Sequence, residues 1–98
     1  MITIHQTEAF AHWLQRLRDP RAKARLISRI ERLATGNPGD ARAVGEGVSE
    51  LRIDYGPGYR IYFKQFGPVF VLLLCGGDKR TQQRDIAAAK SLARSWQE

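Results

Sequence analysis

The sequence predicts a single α+β domain in which a helical hairpin packs on a small, mainly antiparallel sheet. Two helical patterns come first along the chain, and three strand patterns separated by glycine and proline turns follow them. The chain has 98 residues, of which 43% are hydrophobic, so one domain spanning 1–98 can bury one modest core. The predicted order of elements is β-α-α-β-β-β-α, with the helices on one face of the sheet.

The first half begins with a short strand at 1–5 and continues with two helices. Thr7 is predicted to cap the first helix, in which apolar residues then recur at helical spacing. Asp19-Pro20 predicts the start of the second helix, because aspartate caps well and proline is accepted at the first helical position. Residues 37–47 contain five glycine, proline or asparagine residues and are predicted to form a loop.

The second half contains three strand patterns and a final helix, at 48–55, 59–66, 69–75 and 81–96. The first two strand patterns alternate apolar and polar residues, which is typical of strands with one buried face. Gly-Pro-Gly at 56–58 is predicted to be the hairpin turn between them. The third pattern is apolar at every position, so a central strand covered on both faces is expected.

The charge of the chain points towards an anionic partner. It carries 16 basic and 10 acidic residues, a net charge of +6 with a pI near 10.1. Such a field attracts nucleic acid first, an anionic membrane second and an acidic protein third. A single cysteine and the absence of a signal-peptide pattern favour the cytoplasm, and no apolar run is long enough to span a membrane.

The two alternating strands predict a cationic surface. Arg52, Arg60, Tyr62 and Lys64 are expected on the outward face of the hairpin. Cations at alternate strand positions with an aromatic residue between them suit binding of phosphates and stacking on a base. A solvated sheet face that binds nothing is the alternative.

A second candidate site is the segment CGGDKR, which follows the apolar strand. Lys79 and Arg80 are expected near the N-terminus of the last helix, where anions are favoured, and Thr81 or Asp78 is expected to cap that helix. The spacing of a phosphate-binding loop for nucleoside triphosphates is absent. Cys75 is interpreted as a small core residue at the end of the strand.

The remaining charged residues carry weaker signals. Four arginines lie on one side of the second helix, at Arg21, Arg25, Arg29 and Arg32. They predict either a solvated helix face or a docking surface for RNA or an acidic partner. The two histidines have no downstream partners, so neither a histidine acid–base pair nor a metal or cofactor site is expected.

The helical hairpin, GVSELRIDYGPGYRIYF and VFVLLLCGGDKRTQQRDIAAAKSLA together resemble the RelE/ParE superfamily of bacterial toxins, and within it the HigB-like addiction module killer branch. The resemblance spans nearly the whole chain. It implies a toxin of a type II toxin–antitoxin pair that cleaves mRNA on the ribosome without a metal and so inhibits translation. It also implies partners, namely a cognate antitoxin that is a small helix-turn-helix protein, the ribosome and mRNA.

The resemblance implies catalytic roles for Arg60, Arg80 and Lys79. The candidate nucleic-acid-binding residues are Arg52, Tyr62, Lys64 and Arg84. The C-terminal tyrosine and the histidines that family members use have no counterparts here, so the general acid and base are unassigned. Lys79 and Tyr62 are the candidates for proton transfer. The alternatives are a ParE-like poison of DNA gyrase without nuclease activity and a non-catalytic module that binds an antitoxin.

Overall fold

The structure is a computed structural model that describes residues 2–96, in which three α-helices accompany one five-stranded sheet. The strands are β1 (Thr3–Gln6), β2 (Ala41–Gly45), β3 (Val48–Ile53), β4 (Tyr59–Phe66) and β5 (Phe70–Asp78). The helices are α1 (Glu8–Arg16), α2 (Pro20–Ala34) and α3 (Gln82–Ser95), and a 3₁₀ turn at Lys79–Thr81 precedes α3. The predicted α+β class is confirmed.

The sheet has the strand order β1-β5-β4-β3-β2, so β4 lies at its centre. The pair β1 and β5 is parallel, and each of the other pairs is antiparallel. The predicted strands at 48–55, 59–66 and 69–75 are confirmed as β3, β4 and β5. Residues 71–75 of β5 are buried, as expected for a strand covered on both faces.

The capping predictions for the first two helices are confirmed. The Thr7 hydroxyl accepts a hydrogen bond from the Phe10 amide at 3.0 Å and donates one to the Leu74 carbonyl at 2.6 Å. One side chain therefore caps α1 and ties it to β5. Asp19 accepts from the Arg21 amide at 2.9 Å, directly before the proline that begins α2.

The prediction of a loop over 37–47 is wrong, because residues 41–45 form β2 and pair with β3. Of the glycines that suggested a loop, Gly39 and Gly47 flank the strand and Gly45 is its last residue. Glu46 and Gly47 connect β2 to β3 and have φ angles of 56° and 77°. A two-residue hairpin of type I′ requires positive φ at both positions. The element order is therefore β-α-α-β-β-β-β-α.

The expectation that the helices share one face of the sheet is also wrong. Helices α1 and α2 cover one face, where Phe10, Leu26 and Leu33 pack among the buried residues of the sheet. Helix α3 covers the opposite face through Ala89 and Ala93. The small side chains of α3 let the helix pack closely on this sheet face, which the polar residues of the sequence pattern had suggested would be exposed to solvent. Among residues 2–96, no helix is long and apolar enough to cross a membrane.

A bulge in β5 changes which residues face α3. Tyr62 of β4 lies opposite Cys75, whereas Phe63 lies opposite Leu73, so Leu74 is an extra residue in β5. As a result, Leu74 and Cys75 both belong to the cluster beneath α3 although they are adjacent in the chain. Cys75 is therefore a buried core residue, as predicted.

Gly76 and Gly77 lie within β5 and permit close approach of a helix on each face of the sheet. A Cβ atom at Gly76 would overlap the ring of Trp13 in α1. A Cβ atom at Gly77 would overlap the carboxylate of Asp85 in α3. Glycine is therefore required at both positions because a larger side chain would collide with a helix, and not because of backbone conformation, since neither residue has a positive φ.

We predict that Gly76→Ala destabilises the protein by about 1–3 kcal/mol because the new methyl group overlaps Trp13. Without that overlap, the substitution would stabilise the fold by about 0.4–1 kcal/mol, since alanine restricts the unfolded chain. Denaturant unfolding measures the sign. The double variant Gly76→Ala/Trp13→Leu is the control and should recover part of the loss, whereas additive effects would contradict the proposed contact.

Candidate functional site

A polar cleft of about 260 Å³ lies at the turn end of the β3–β4 hairpin. Its lining residues are Asp40, Arg52, Asp54, Gly58, Arg60 and Lys79. The antiparallel register places Arg52 directly opposite Arg60. Lys79 reaches the same place because its amide donates a hydrogen bond to the Gly58 carbonyl at 3.1 Å. Three of the predicted site residues are thus brought together.

Arg60 is 3% exposed and is held on two edges of its guanidinium group. Nη1 donates to the carbonyls of Gly58 and Tyr59, at 3.1 and 3.0 Å. Nε lies 2.9 Å from Oε1 of Glu50 in an ion pair whose N–H is poorly aligned with the oxygen. Within the described residues, Nη2 makes no hydrogen bond, so this nitrogen is available to a ligand in the cleft.

Glu50 is a component of the site that the sequence reasoning missed. Its side chain is fully buried, and both carboxylate oxygens accept from Nε2 of Gln82, at 3.2 and 3.0 Å. Nε of Arg52 lies 3.9 Å from the same carboxylate. A signal was present, because Glu50 lies two residues before Arg52 and therefore diagonally across the hairpin from Arg60.

The expectation that Tyr62 lies on an open sheet face is wrong. Tyr62 is fully buried beneath α3, and its hydroxyl has no hydrogen-bond partner among residues 2–96. Burial raises the pKa of Tyr62 far above its ordinary value, and the charge of Glu50 raises it further. The ring therefore presents no surface for stacking on a base, and the phenol keeps its proton at neutral pH.

Arg80 does not line the cleft. Its side chain is 80% exposed, and its guanidinium group pairs with both carboxylate oxygens of Asp78, at 3.3 and 3.0 Å. This hydrogen-bonded pairing lowers the pKa of Asp78 below its ordinary value. Residues 79–84, including Arg84, line a separate open depression that shares Lys79 with the cleft. Arg60 and Arg80, for both of which the resemblance implies a catalytic role, therefore line different depressions.

Lys64 lies towards the other end of β4, opposite Val48 of β3 and Leu72 of β5. Its ammonium group lies 5.1 Å from the centroid of the Phe66 ring, a cation–π contact. Lys64 is not among the residues that line the cleft. The alternating cations on β4 are thus divided between a buried position at Arg60 and a partly exposed one at Lys64.

Arg29 of the basic helix face has a structural role. Its guanidinium group donates to the carbonyls of Arg52, Pro38 and Asp40, at 2.7, 3.0 and 3.2 Å. These bonds hold the segment before β2 against β3 and so place Asp40 on the wall of the cleft. The guanidinium group of Arg25 lies over the Tyr55 ring, 4.5 Å from its centroid. Two of the four helix arginines therefore support the fold beside the cleft.

The chain is 53% identical over 92 residues to an uncharacterized protein of Haemophilus influenzae strain Rd. The alignment covers 94% of this chain and 93% of that protein. The chain belongs to the same family as the Haemophilus influenzae protein. No family model matches the chain.

The cleft contains both cations and carboxylates, and these groups determine the chemistry that it can support. Arg52, Arg60 and Lys79 supply positive hydrogen-bond donors, and Asp40 and Asp54 supply carboxylates. Cationic donors bind phosphate oxygens strongly, and a neighbouring carboxylate can accept a proton. No group of three or more His, Cys, Asp and Glu suited to a metal ion lies within the described part of the chain.

We predict that the Cys75 thiol of the folded protein reacts slowly with a disulfide reagent at pH 8. Burial, followed by the charge of Asp85, raises the pKa of Cys75 from 9.0 to about 12. The unfolded chain loses this proton first, so the contribution of Cys75 to stability falls as pH rises from 9.0 towards about 12.

Two measurements check this prediction. Labelling of the native protein should be limited by opening of the fold, and denatured protein should react at once. Urea unfolding between pH 8 and 10.5 should show a steeper decline for the wild type than for Cys75→Ser. Equal labelling rates for native and denatured protein would contradict the burial of the thiol.

Proposed function

We propose that the protein is a RelE-like toxin of a type II toxin–antitoxin pair, an endoribonuclease that cleaves mRNA on the ribosome and inhibits translation. The observation that carries the proposal is the cleft in which Arg52, Arg60 and Lys79 meet beside the carboxylate of Asp54. Phosphodiester cleavage requires hydrogen-bond donors to the phosphate oxygens and a nearby group that accepts a proton. The resemblance of the sequence to RelE-like toxins, including their helical hairpin and following strands, supports the same function.

In the proposed reaction, the ribose 2′-hydroxyl attacks the adjacent phosphorus and the bond from phosphorus to the 5′-oxygen breaks. The products are a 2′,3′-cyclic phosphate and a 5′-hydroxyl. Asp54 accepts the proton of the 2′-hydroxyl, and Lys79 donates a proton to the leaving 5′-oxygen. Arg60, through Nη2, and Arg52 bind the phosphate oxygens, which carry additional negative charge in the transition state.

The surroundings of each group support this division of roles. Arginine is a fixed cation, so Arg60 and Arg52 are suited to charge stabilisation rather than to proton transfer. Tyr62 is excluded from proton transfer by its burial. Asp54 and Lys79 are exposed and line the cleft, so substrate can reach both of them. Catalysis by prearranged charges also fits the rigid support of Arg60 by the carbonyls of Gly58 and Tyr59.

The proposal also accounts for the charge outside the cleft. The net charge of +6 attracts RNA over a distance, and Arg80 and Arg84 in the neighbouring depression can bind further phosphates. The ribosome, as a partner, would hold the mRNA in register with the cleft and lower the entropic cost of reaction. A small helix-turn-helix antitoxin that covers this surface would neutralise the toxin.

We predict that Lys79→Ala and Arg52→Ala each reduce toxicity, because each removes a charged donor worth about 1.5–3 kcal/mol, roughly a 10–100-fold change in rate. Arg94→Ala is the matched control, since Arg94 is an exposed cation paired with Glu46 and does not line the cleft. Growth arrest is measured in bacteria that express each variant, with labelled precursors of protein and DNA.

Protein synthesis should stop before DNA synthesis in cells that express the wild type. Earlier loss of DNA synthesis would favour a gyrase poison without nuclease activity. Absence of any arrest would favour a non-catalytic module that binds an antitoxin. Arrest by both cleft variants at the wild-type level would show that the cleft is not the toxic site.

We predict that Asp54→Asn lowers kcat for mRNA cleavage on purified ribosomes by roughly 10²–10⁴-fold, because the amide cannot accept the 2′-hydroxyl proton. KM should change little, since the amide occupies nearly the same volume. Asp40→Asn on another part of the cleft wall is the control and should retain most of the rate. Primer extension on the cleaved mRNA measures the cleavage rates of the two variants. A wild-type rate for Asp54→Asn would remove Asp54 from the mechanism.

A further inference from the structure

We infer that Glu50 is a positioning residue, which orients the guanidinium group of Arg60 for phosphate binding. Because Gln82 binds Glu50, we infer that this orientation also depends on the position of α3. That Arg60 binds the phosphate of a substrate rests on the proposed function. The geometry that positions Arg60 is a property of the fold and can be measured separately.

The first step is the burial of a complete charge pair. Glu50 is fully buried, the side chain of Arg60 is 4% exposed, and Nε of Arg60 lies 2.9 Å from Oε1 of Glu50. Replacing such a pair by apolar residues of similar size is often neutral or stabilising, because burial removes both charges from water. Stability therefore gives no sufficient reason for two charges at this place, whereas orientation of a functional cation does.

The second step concerns the three nitrogen atoms of the guanidinium group. Two carbonyls accept hydrogen bonds from Nη1, and the carboxylate lies 2.9 Å from Nε in an ion pair without an aligned hydrogen bond, so contacts on two edges restrict the plane of the group. The remaining nitrogen, Nη2, makes no hydrogen bond within residues 2–96, and Arg60 lines the cleft. Loss of the carboxylate would loosen the group about its last torsions and would leave its buried charge without an anionic partner.

The third step connects this pair to α3. Gln82 is the first residue of α3, and its side-chain amide donates to both oxygens of Glu50. The carboxylate is therefore held from the helix side while it holds Arg60 on the sheet side. A change in the position of the first turn of α3 would change the orientation of Glu50 and, through it, of Arg60.

The central test compares Glu50→Gln with Glu46→Gln. Both substitutions replace a carboxylate in a salt bridge by an amide of the same shape, but Glu46 pairs with the exposed Arg94, and neither of these two residues lines the cleft. Glu50→Gln should lower the single-turnover rate of mRNA cleavage on ribosomes at least about tenfold, the loss expected for one charged contact. Glu46→Gln should cleave at the wild-type rate.

A second readout does not require cleavage. In ¹⁵N-labelled protein, the Nε–H signal of Arg60 should exchange slowly with water in the wild type, where Nε is buried beside the carboxylate, and quickly in Glu50→Gln, because the group loses its ion pair and becomes mobile. Inorganic phosphate should shift this signal in the wild type and should need at least about tenfold higher concentration in the variant. Glu46→Gln should match the wild type in both properties.

Gln82→Leu keeps the test valid where Glu50→Gln fails to fold. This variant retains the ion pair and removes the two contacts from α3. It should increase exchange at Arg60 Nε and lower the cleavage rate in the same direction as Glu50→Gln, by a smaller factor.

The outcomes separate the two proposals. Suppose that exchange at Arg60 Nε is slow in the wild type and fast in Glu50→Gln and Gln82→Leu, but that neither the wild type nor any variant cleaves mRNA. This result supports positioning by Glu50 and rejects the nuclease. Cleavage by the wild type with an equal rate and equal Arg60 exchange in Glu50→Gln and Gln82→Leu rejects positioning and retains the nuclease. Fast exchange at Arg60 Nε in the wild type also overturns the inference.

Discussion

The buried ion pair between Glu50 and Arg60 joins the β3–β4 hairpin, which lines much of the cleft, to the start of α3. Glu50 lies in β3 and Arg60 in β4, and the carboxylate is also bonded to Gln82 at the start of α3. A charge without solvent is costly unless its partners are well placed, so the hairpin and the helix must hold their relative positions. Their arrangement leaves one nitrogen of Arg60 for a ligand in the cleft.

The other side of the cleft depends on β5 and its two glycines. Gly76 lies beneath Trp13 and Gly77 lies beneath Asp85, so helices approach the strand closely on both faces. The strand then ends at Asp78, opposite Tyr59, and the next residue bonds to the hairpin turn at Gly58. Close packing at the glycines thus places Lys79 beside Arg60, although 19 positions separate them in the chain.

Much of the fold is predictable from local patterns, and the errors have a common physical origin. Alternation and caps predict β3, β4, α1 and α2 because each depends on residues near in sequence. Strand β2 was missed because the glycines at and beside its ends suggested turns, and because its pairing with β3 is a contact between strands that local patterns do not show. Polar alternation in β3 and β4 suggested an open face, but α3 covers it with small side chains at Ala89 and Ala93.

The sequence by itself determined the α+β class, the hairpin strands, the helix starts and the candidate cations at Arg52, Arg60 and Lys79. Only the tertiary structure decided that Tyr62 is buried, that Arg80 lies outside the cleft and that Glu50 is the partner of Arg60. The physical reason is the range of the interactions. Periodicity and capping act over a few residues, whereas burial of a charge depends on which distant element covers it.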